Sequence, residues 1–380
     1  MPSDRLFGPS LTTARMAEAT SDVAWLAAML RFESALASAH ARAGLIPEPA
    51  AERITEACDA MRFDVAAIGR EAARSASPVL PLVDALKKAV DQDAAPYVHH
   101  EATSQDALDT AMMLVARDGL DLLIADLDRL GGTCATLAHE HRETPIAGRT
   151  LLQAALPITF GFKAAMWLEG VDDARRRLVA IRRGGLAVQL GGPVGIFAAR
   201  EVVVDLATSL DLLAPELPWH SSRGRVASLG AALAVAAGAA AKIALDVALL
   251  AQSEVAEVDV AAPGRSTAMP HKRNPAAAVE ARAAYSLAVA QAGVLLGAMA
   301  GEHERSAGAW QSEWPALGEL LRLTAGCVDG AARLLSGLHV DVERMRSNLG
   351  PDAELSGIQA AAAIADRAVL LHKKESGDER

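Results

Sequence analysis

The chain has 380 residues, 51% of them hydrophobic but only 3% aromatic, with a formal net charge of −10. Apolar content drawn mostly from Ala, Leu and Val favours helix over the β-branched and aromatic mixture of sheets, which excludes an all-β fold. The acidic balance argues against nucleic acid or an acidic membrane as a partner, since either needs a broad basic surface.

The length allows one large core with smaller flanking units. Residues 1–102 read as an N-terminal domain of short helices, broken by Gly44 and Pro47 and again by Ser77, Pro78 and Pro81. From Thr103 the pattern changes. Thr103 or Ser104 caps a long helix in which Leu108, Met112, Val115, Leu122, Leu123 and Leu127 recur at helical spacing up to Gly131. Further long helices are predicted over 150–181, with a bend near Pro157, and over 226–252, 275–299 and 315–338. These five make an all-α central bundle spanning 103–345. Small residues at 231–241 and 276–284 allow helix axes to approach closely, as in a multi-subunit helical core. Residues 346–380 add a shortened C-terminal segment, one more Ala-rich helix and the charged run KKESGDER.

The segment 226–252 is apolar enough to be mistaken for a membrane span, but Lys242 and Asp246 fall in its middle on one helical face, so a buried bundle helix is expected. Nothing at MPSDRLFGPS has the pattern of a secretory signal. The cysteines, Cys58, Cys134 and Cys327, are far apart and lack metal-ligand spacing, so they read as buried thiols of a reducing, cytoplasmic compartment, with no metal site.

Four polar clusters interrupt the apolar pattern at helix ends and loops, where free backbone N–H groups bind anions. The first is HHEATSQD, with His99, Thr103, Ser104 and Gln105: either helix caps, or imidazole, hydroxyl and amide donors for a carboxylate. The second runs from His139 and His141 to Arg149 and Gln153. The two histidines are two residues apart and diverge on a helix, so a shared metal is excluded, and each alone reads as a residue at a helix C-terminus. The third is Trp219, His220, Arg223 and Arg225, either an interface anchor or a substrate-facing group. The fourth, GRSTAMPHKRNP over 264–275, combines a mobile Gly, hydroxyls, an amide and several cations, and leads straight into a helix.

The run AMPHKRNP resembles the signature loop of the fumarase/aspartase superfamily, usually Gly-Ser-Ser-x-Met-Pro-x-Lys-x-Asn-Pro. Together with HEATSQDALDT, GRTLLQAALPITFG, PWHSSRGR and HERSAGAWQSEWPAL it is similar to the bacterial 3-carboxymuconate cycloisomerase branch over roughly residues 1–345. Lyases such as adenylosuccinate lyase usually place a His directly after Gly-Arg-Thr, where this chain has Leu151. The resemblance implies the superfamily's fold, a homotetramer whose active sites draw residues from several subunits, a small tricarboxylate substrate and no cofactor. It also implies that His141 is functional, which displaces the reading of that residue as a surface histidine. In the family reaction a carboxylate closes onto a conjugated double bond and the neighbouring carbon is protonated. The attacking carboxylate is already ionised at neutral pH, since such groups titrate near ~4. The site must therefore supply positive charge for the enolate-like transition state and an acid. On this reading Lys272 and Asn274 stabilise the charge, and His141, rather than the hydroxyl of Ser266 or Thr267, delivers the proton. His99, Thr103, Ser104, Gln105, Arg149 and Gln153 hold the remaining carboxylates, and His141 and Lys272 of one site come from different chains. Two departures qualify the resemblance: Thr267 stands where the superfamily places its second loop serine, and many relatives carry a longer C-terminal helical domain. They leave room for a fumarate-releasing lyase or a catalytically silent homologue.

Overall fold

The computed structural model describes residues 6–196, 199–350 and 355–376. Helices α1 (Ala14–Ala19), α2 (Asp22–Arg42), α3 (Glu48–Ala57), α4 (Val65–Ser75) and α5 (Val79–Ala89) precede five long ones. The long helices are α6 (Ser104–Glu140), α7 (Phe160–Gly184), α9 (Gly224–Leu250), α10 (Ala276–Gly297) and α11 (Ala309–Leu335), with the shorter α8 (Arg200–Leu210) between α7 and α9. After them come α12 (Val342–Leu349) and α13 (Ile358–Ser376), the latter packed on α6 and α7.

The expected bundle forms, with three differences, the first being that α11 begins at Ala309 and carries Pro315 inside it instead of starting there. Helix α6 does not stop at Gly131 but runs on to Glu140, because Cys134, Leu137 and Ala138 continue its buried stripe. Residues 145–159 are not the start of a helix. They form an antiparallel hairpin of β1 (Pro145–Thr150) and β2 (Gln153–Thr159), and α7 begins only at Phe160, capped by the Thr159 hydroxyl, which accepts from the Phe162 N–H at 2.9 Å. Pro157 has no N–H to give a helix, and β-branched Thr150, Ile158 and Thr159 around it favour the extended chain.

Contacts at the helix ends fix their directions. Arg223 at the start of α9 meets Asp109 at the start of α6 and Glu313 at the start of α11, so these three helices run the same way. Helix α7 runs against them, since Trp167 near its start donates to Asp246 near the end of α9 at 2.8 Å. Helix α10 also runs against them: a Cβ on Gly330, late in α11, would meet Ala281, early in α10, at 2.9 Å. Helix α9 is long and apolar enough to cross a membrane. Here Ala236, Ala237, Ala240, Ile243 and Ala244 are fully enclosed by the bundle, as expected of a core helix. Helix α10 is covered on one side only: Ala278, Ala281, Ala284 and Ala288 are buried, while Val279, Leu287, Val289, Val294 and Leu296 face outward.

Candidate active site

The bundle sorts the four polar clusters into two poles. At ~1.5 Å per residue, the 37 residues of α6 separate Thr103 from His141 by ~55 Å.

The first and third clusters meet at the pole where α6, α9 and α11 begin. Thr103 caps α6, its N–H bound by the Asp106 carboxylate at 2.9 Å, which identifies the cap that the sequence left open between Thr103 and Ser104. Asp106 also accepts from Gln189 Nε2 and from the N–H groups of Gly191 and Gly192, while burial pushes its carboxyl up to about 6. The Thr103 hydroxyl accepts from Arg305 at 2.8 Å, and a second Arg305 nitrogen donates to Gln105 Oε1 at 3.1 Å. The Gln105 amide nitrogen is turned inward to the His220 carbonyl at 2.7 Å and to Asp109. Ser104 makes no side-chain hydrogen bond among the described residues. His99, held at φ +60°, lies with Nδ1 2.6 Å from Glu33, a carboxylate only 1% exposed. Burial opposes the charge on His99, but the attraction and hydrogen bond of Glu33 outweigh it, and the imidazole stays protonated above the ordinary histidine range.

Beneath this surface, Arg223 grips both Asp109 and Glu313, all three buried, and Trp310 donates to Asp109 at 2.9 Å. Trp219 is buried under the Arg223 guanidinium, 4.8 Å from its ring centroid. Trp219 and Arg223 therefore serve the interior of their own chain and do not form an outward-facing anchor. Arg305 is the residue the sequence reading passed over. Its signal was a second polar run, HERSAG, between two long helices, in the same kind of place as the 264–275 loop.

The second and fourth clusters meet at the opposite pole. His141 closes the C-terminus of α6 with Nδ1 3.1 Å from the Thr144 hydroxyl and its ring edge-on to Phe160 at 5.3 Å. Its Nε2 makes no hydrogen bond among the described residues. Close packing sets this corner: a Cβ on Gly161 would lie 2.5 Å from the Ala138 carbonyl, so only glycine lets α7 start against the end of α6. Burial lowers the His141 pKa below the ordinary histidine value, with Glu140 acting against the shift. Arg149 is bound through both arms to Glu257, at 2.9 and 2.7 Å, and Gln153 lies exposed on the hairpin.

Glu257 belongs to the segment that leads into the fourth cluster. Next to it β3 (Val258–Asp259) pairs with β4 (His339–Val340), and Asp259 holds Arg273 at 3.0 Å. The loop is pinched at its base by Gly264 and Asn274, whose backbones exchange hydrogen bonds of 2.7 and 3.3 Å. Ser266 Oγ accepts from the Met269 N–H at 3.1 Å, so this hydroxyl shapes the turn. Thr267 and the Lys272 ammonium are exposed and make no side-chain bond among the described residues. Lys272 and Asn274 line an open cleft of about 850 Å³ together with His271, His339 and Asp341. Among the described residues no cluster of His, Cys, Asp and Glu has metal-binding geometry.

Residues 9–289 match the model of a family described as lyase. A 3-carboxy-cis,cis-muconate cycloisomerase of Bradyrhizobium diazoefficiens is 46% identical, over 95% of this chain and 83% of that protein. A nitrosuccinate lyase of Streptomyces davaonensis is also 46% identical, over 90% of this chain and 76% of its own length. The crystal structure of a 3-carboxy-cis,cis-muconate lactonizing enzyme from Pseudomonas putida superposes with a TM-score of 0.87 at 39% identity, covering 98% of this chain and 86% of that one. A helical bundle with this loop at the mouth of α10, matched along nearly its whole length by such relatives, belongs to the lyase family, in the fumarase/aspartase superfamily.

Proposed function

We propose that the chain is a 3-carboxy-cis,cis-muconate cycloisomerase, closing that tricarboxylate to 4-carboxymuconolactone in protocatechuate catabolism. One observation carries the reading beyond identity. Leu151 sits at the exposed tip of the hairpin, where a fumarate-releasing lyase of the adenylosuccinate type places a histidine, so that imidazole is replaced here, and His141, held through Nδ1 by Thr144 at the base of the hairpin, is the donor we assign. Its Nε2 is free to deliver a proton, while Lys272 and Asn274 at the mouth of α10 supply the charge that stabilises the enolate-like transition state. Thr267, with no internal partner, is a loop hydroxyl available to substrate. Ser266 Oγ accepts a turn bond from the Met269 N–H and keeps its own O–H to donate.

The ~55 Å between Thr103 and His141 is far more than a tricarboxylate spans, so one chain cannot apply both poles to one substrate. Copies packed antiparallel through the outward Val and Leu face of α10 would bring Arg305 and Thr103 of one chain to His141 and Lys272 of others. We therefore read the active unit as a homotetramer with shared sites. The three cysteines are unpaired, with burial pushing the Cys58 and Cys327 thiols up to about 12, which fits the cytoplasm.

The test is purified protein with 3-carboxy-cis,cis-muconate, following loss of diene absorbance. The nitrosuccinate lyase relative favours a second reading, elimination from a substituted succinate with release of fumarate. Turnover of nitrosuccinate or adenylosuccinate without lactonisation establishes that reading instead. If lactonisation is found, His141→Asn lowers it by ~100- to 10,000-fold, the usual cost of a lost general acid. Near-normal turnover in that variant removes His141 from the chemistry.

A further inference from the structure

The first turns of α7 carry Lys163, three residues after Phe160, which packs on His141, and four before Trp167, which binds Asp246. Such spacing places all three on one face of the helix. The charged groups within electrostatic reach of Lys163 are Asp246, Lys242, Arg149 and Glu257. Both acids are already engaged. Lys242 sits on both oxygens of Asp246, at 2.5 and 2.6 Å, beside the Trp167 indole. Glu257 takes both arms of Arg149 and the Asn348 amide at 2.9 Å. Three cations against two carboxylates leave these five groups with one positive charge in excess. Among the described residues, the Lys163 ammonium has neither a hydrogen bond nor an ion pair.

Lys163 is partly buried, and the attraction of Asp246 and Glu257, both already paired and opposed by Lys242 and Arg149, does not make up for the hydration it has lost. Burial accordingly holds the Lys163 pKa below the ordinary lysine range. An incoming anion would supply the missing partner.

We propose that Lys163 is a carboxylate receptor of the active site, binding one carboxylate of a di- or tricarboxylate beside His141. Arg149, which the sequence singled out at this pole as a carboxylate holder, has its fork taken by Glu257, and Lys163 supplies the charge that Arg149 does not. The identity of the natural anion rests on the cycloisomerase reading. The existence of the receptor does not.

The experiment titrates tricarballylate, a saturated tricarboxylate, into the assembled protein by calorimetry for wild type, Lys163→Met and Lys163→Arg, alongside kinetics on 3-carboxymuconate and thermal unfolding. A hydrogen bond to a charged group contributes ~1.5–3 kcal/mol, so Lys163→Met weakens binding by ~10- to 100-fold. KM rises correspondingly with a smaller change in kcat, Lys163→Arg stays within several-fold of wild type, and the unfolding midpoint does not fall. Wild-type binding also weakens at alkaline pH, as the ammonium is lost, and this dependence vanishes in Lys163→Met. Equal binding by wild type and Lys163→Met overturns the proposal, as does absence of tricarballylate binding by wild type. Parallel loss of binding and stability in both variants also overturns it, by making Lys163 a structural residue. If wild type fails to lactonise 3-carboxymuconate while the binding pattern holds, the cycloisomerase reading falls and the receptor stands. Normal turnover with unaltered binding in Lys163→Met gives the reverse.

Discussion

Arg149 holds Glu257 through both carboxylate oxygens, at 2.9 and 2.7 Å, and so ties the β1–β2 hairpin to the segment that enters the signature loop. Glu257 is fully buried and Arg149 about a quarter exposed, so the guanidinium gives its acid the partner that burial demands. Removing one member of a fully buried pair costs ~3–5 kcal/mol, and the exposure of Arg149 brings the expectation for Arg149→Met to about 2 kcal/mol. Urea unfolding measures it. Stability equal to wild type would mean that Asn348 alone satisfies Glu257.

The loop residues separate by their partners. Thr267→Ser should keep activity and Thr267→Ala lose it, because the hydroxyl is free for substrate, whereas Ser266→Ala should cost ~1 kcal/mol through the lost turn bond to Met269. Lys272→Met removes a charge that counts mainly in the transition state, so kcat should drop far more than KM rises. Equal turnover by Thr267, its serine variant and its alanine variant would reduce the hydroxyl to a structural role.

The pH dependence follows from His141. A proton donor must be charged before it reacts, so the competent form is present below its pKa and lost as pH rises through it. Burial sets that pKa below the ordinary ~6.5 in the free enzyme, and kcat/KM should decline with a midpoint under that value. A bound polycarboxylate favours the charged imidazole, so the decline in kcat should fall at higher pH. Identical midpoints for the two profiles would mean that His141 does not face the substrate carboxylates.

How far the sequence carried this structure depended on local signals. The apolar stripes of α6, α9 and α10 identified the bundle because burial repeats with the helix period, and the 264–275 loop stood out because polar residues break that period. The hairpin was missed because Leu151, Leu152, Ala154, Ala155 and Leu156 match an apolar helix as well as a strand, and only Pro157 and its β-branched neighbours weigh against helix. Arg305 and Lys163 were missed for another reason. Their significance lies in partners remote along the chain, or in lacking one, and no spacing rule reports that.

The hairpin tip carries its own expectation. Leu151 and Leu152 form its two-residue turn with φ of +51° and +65°, and they are 96% and 76% exposed. Such a turn favours Asn-Gly, and leucine in the left-handed region costs ~1–2 kcal/mol per residue. A strained, exposed pair of leucines is accounted for if it packs against a second copy. Replacing the pair by Asn-Gly should raise hairpin stability yet weaken assembly, so that sedimentation velocity finds dissociation at higher protein concentration. Unchanged assembly would place the tip outside any interface between copies.

The sharing of sites between copies is open to complementation. His141→Asn and Arg305→Met remove groups from opposite poles of the bundle, so each protein alone should be inactive. If poles of different copies meet, co-refolded hetero-oligomers contain sites that take an intact His141 from one chain and an intact Arg305 from another. Activity should then return, and the two variants refolded separately and combined should show none. The same experiment with His141→Asn and Lys272→Met addresses a pair that the fold leaves at one pole, and a return of activity there would show that the loop acts on a neighbouring chain's histidine. Hetero-oligomers that form and stay inactive in the first pairing would mean that Arg305 and His141 do not serve one site, and the two-pole assembly would have to be abandoned.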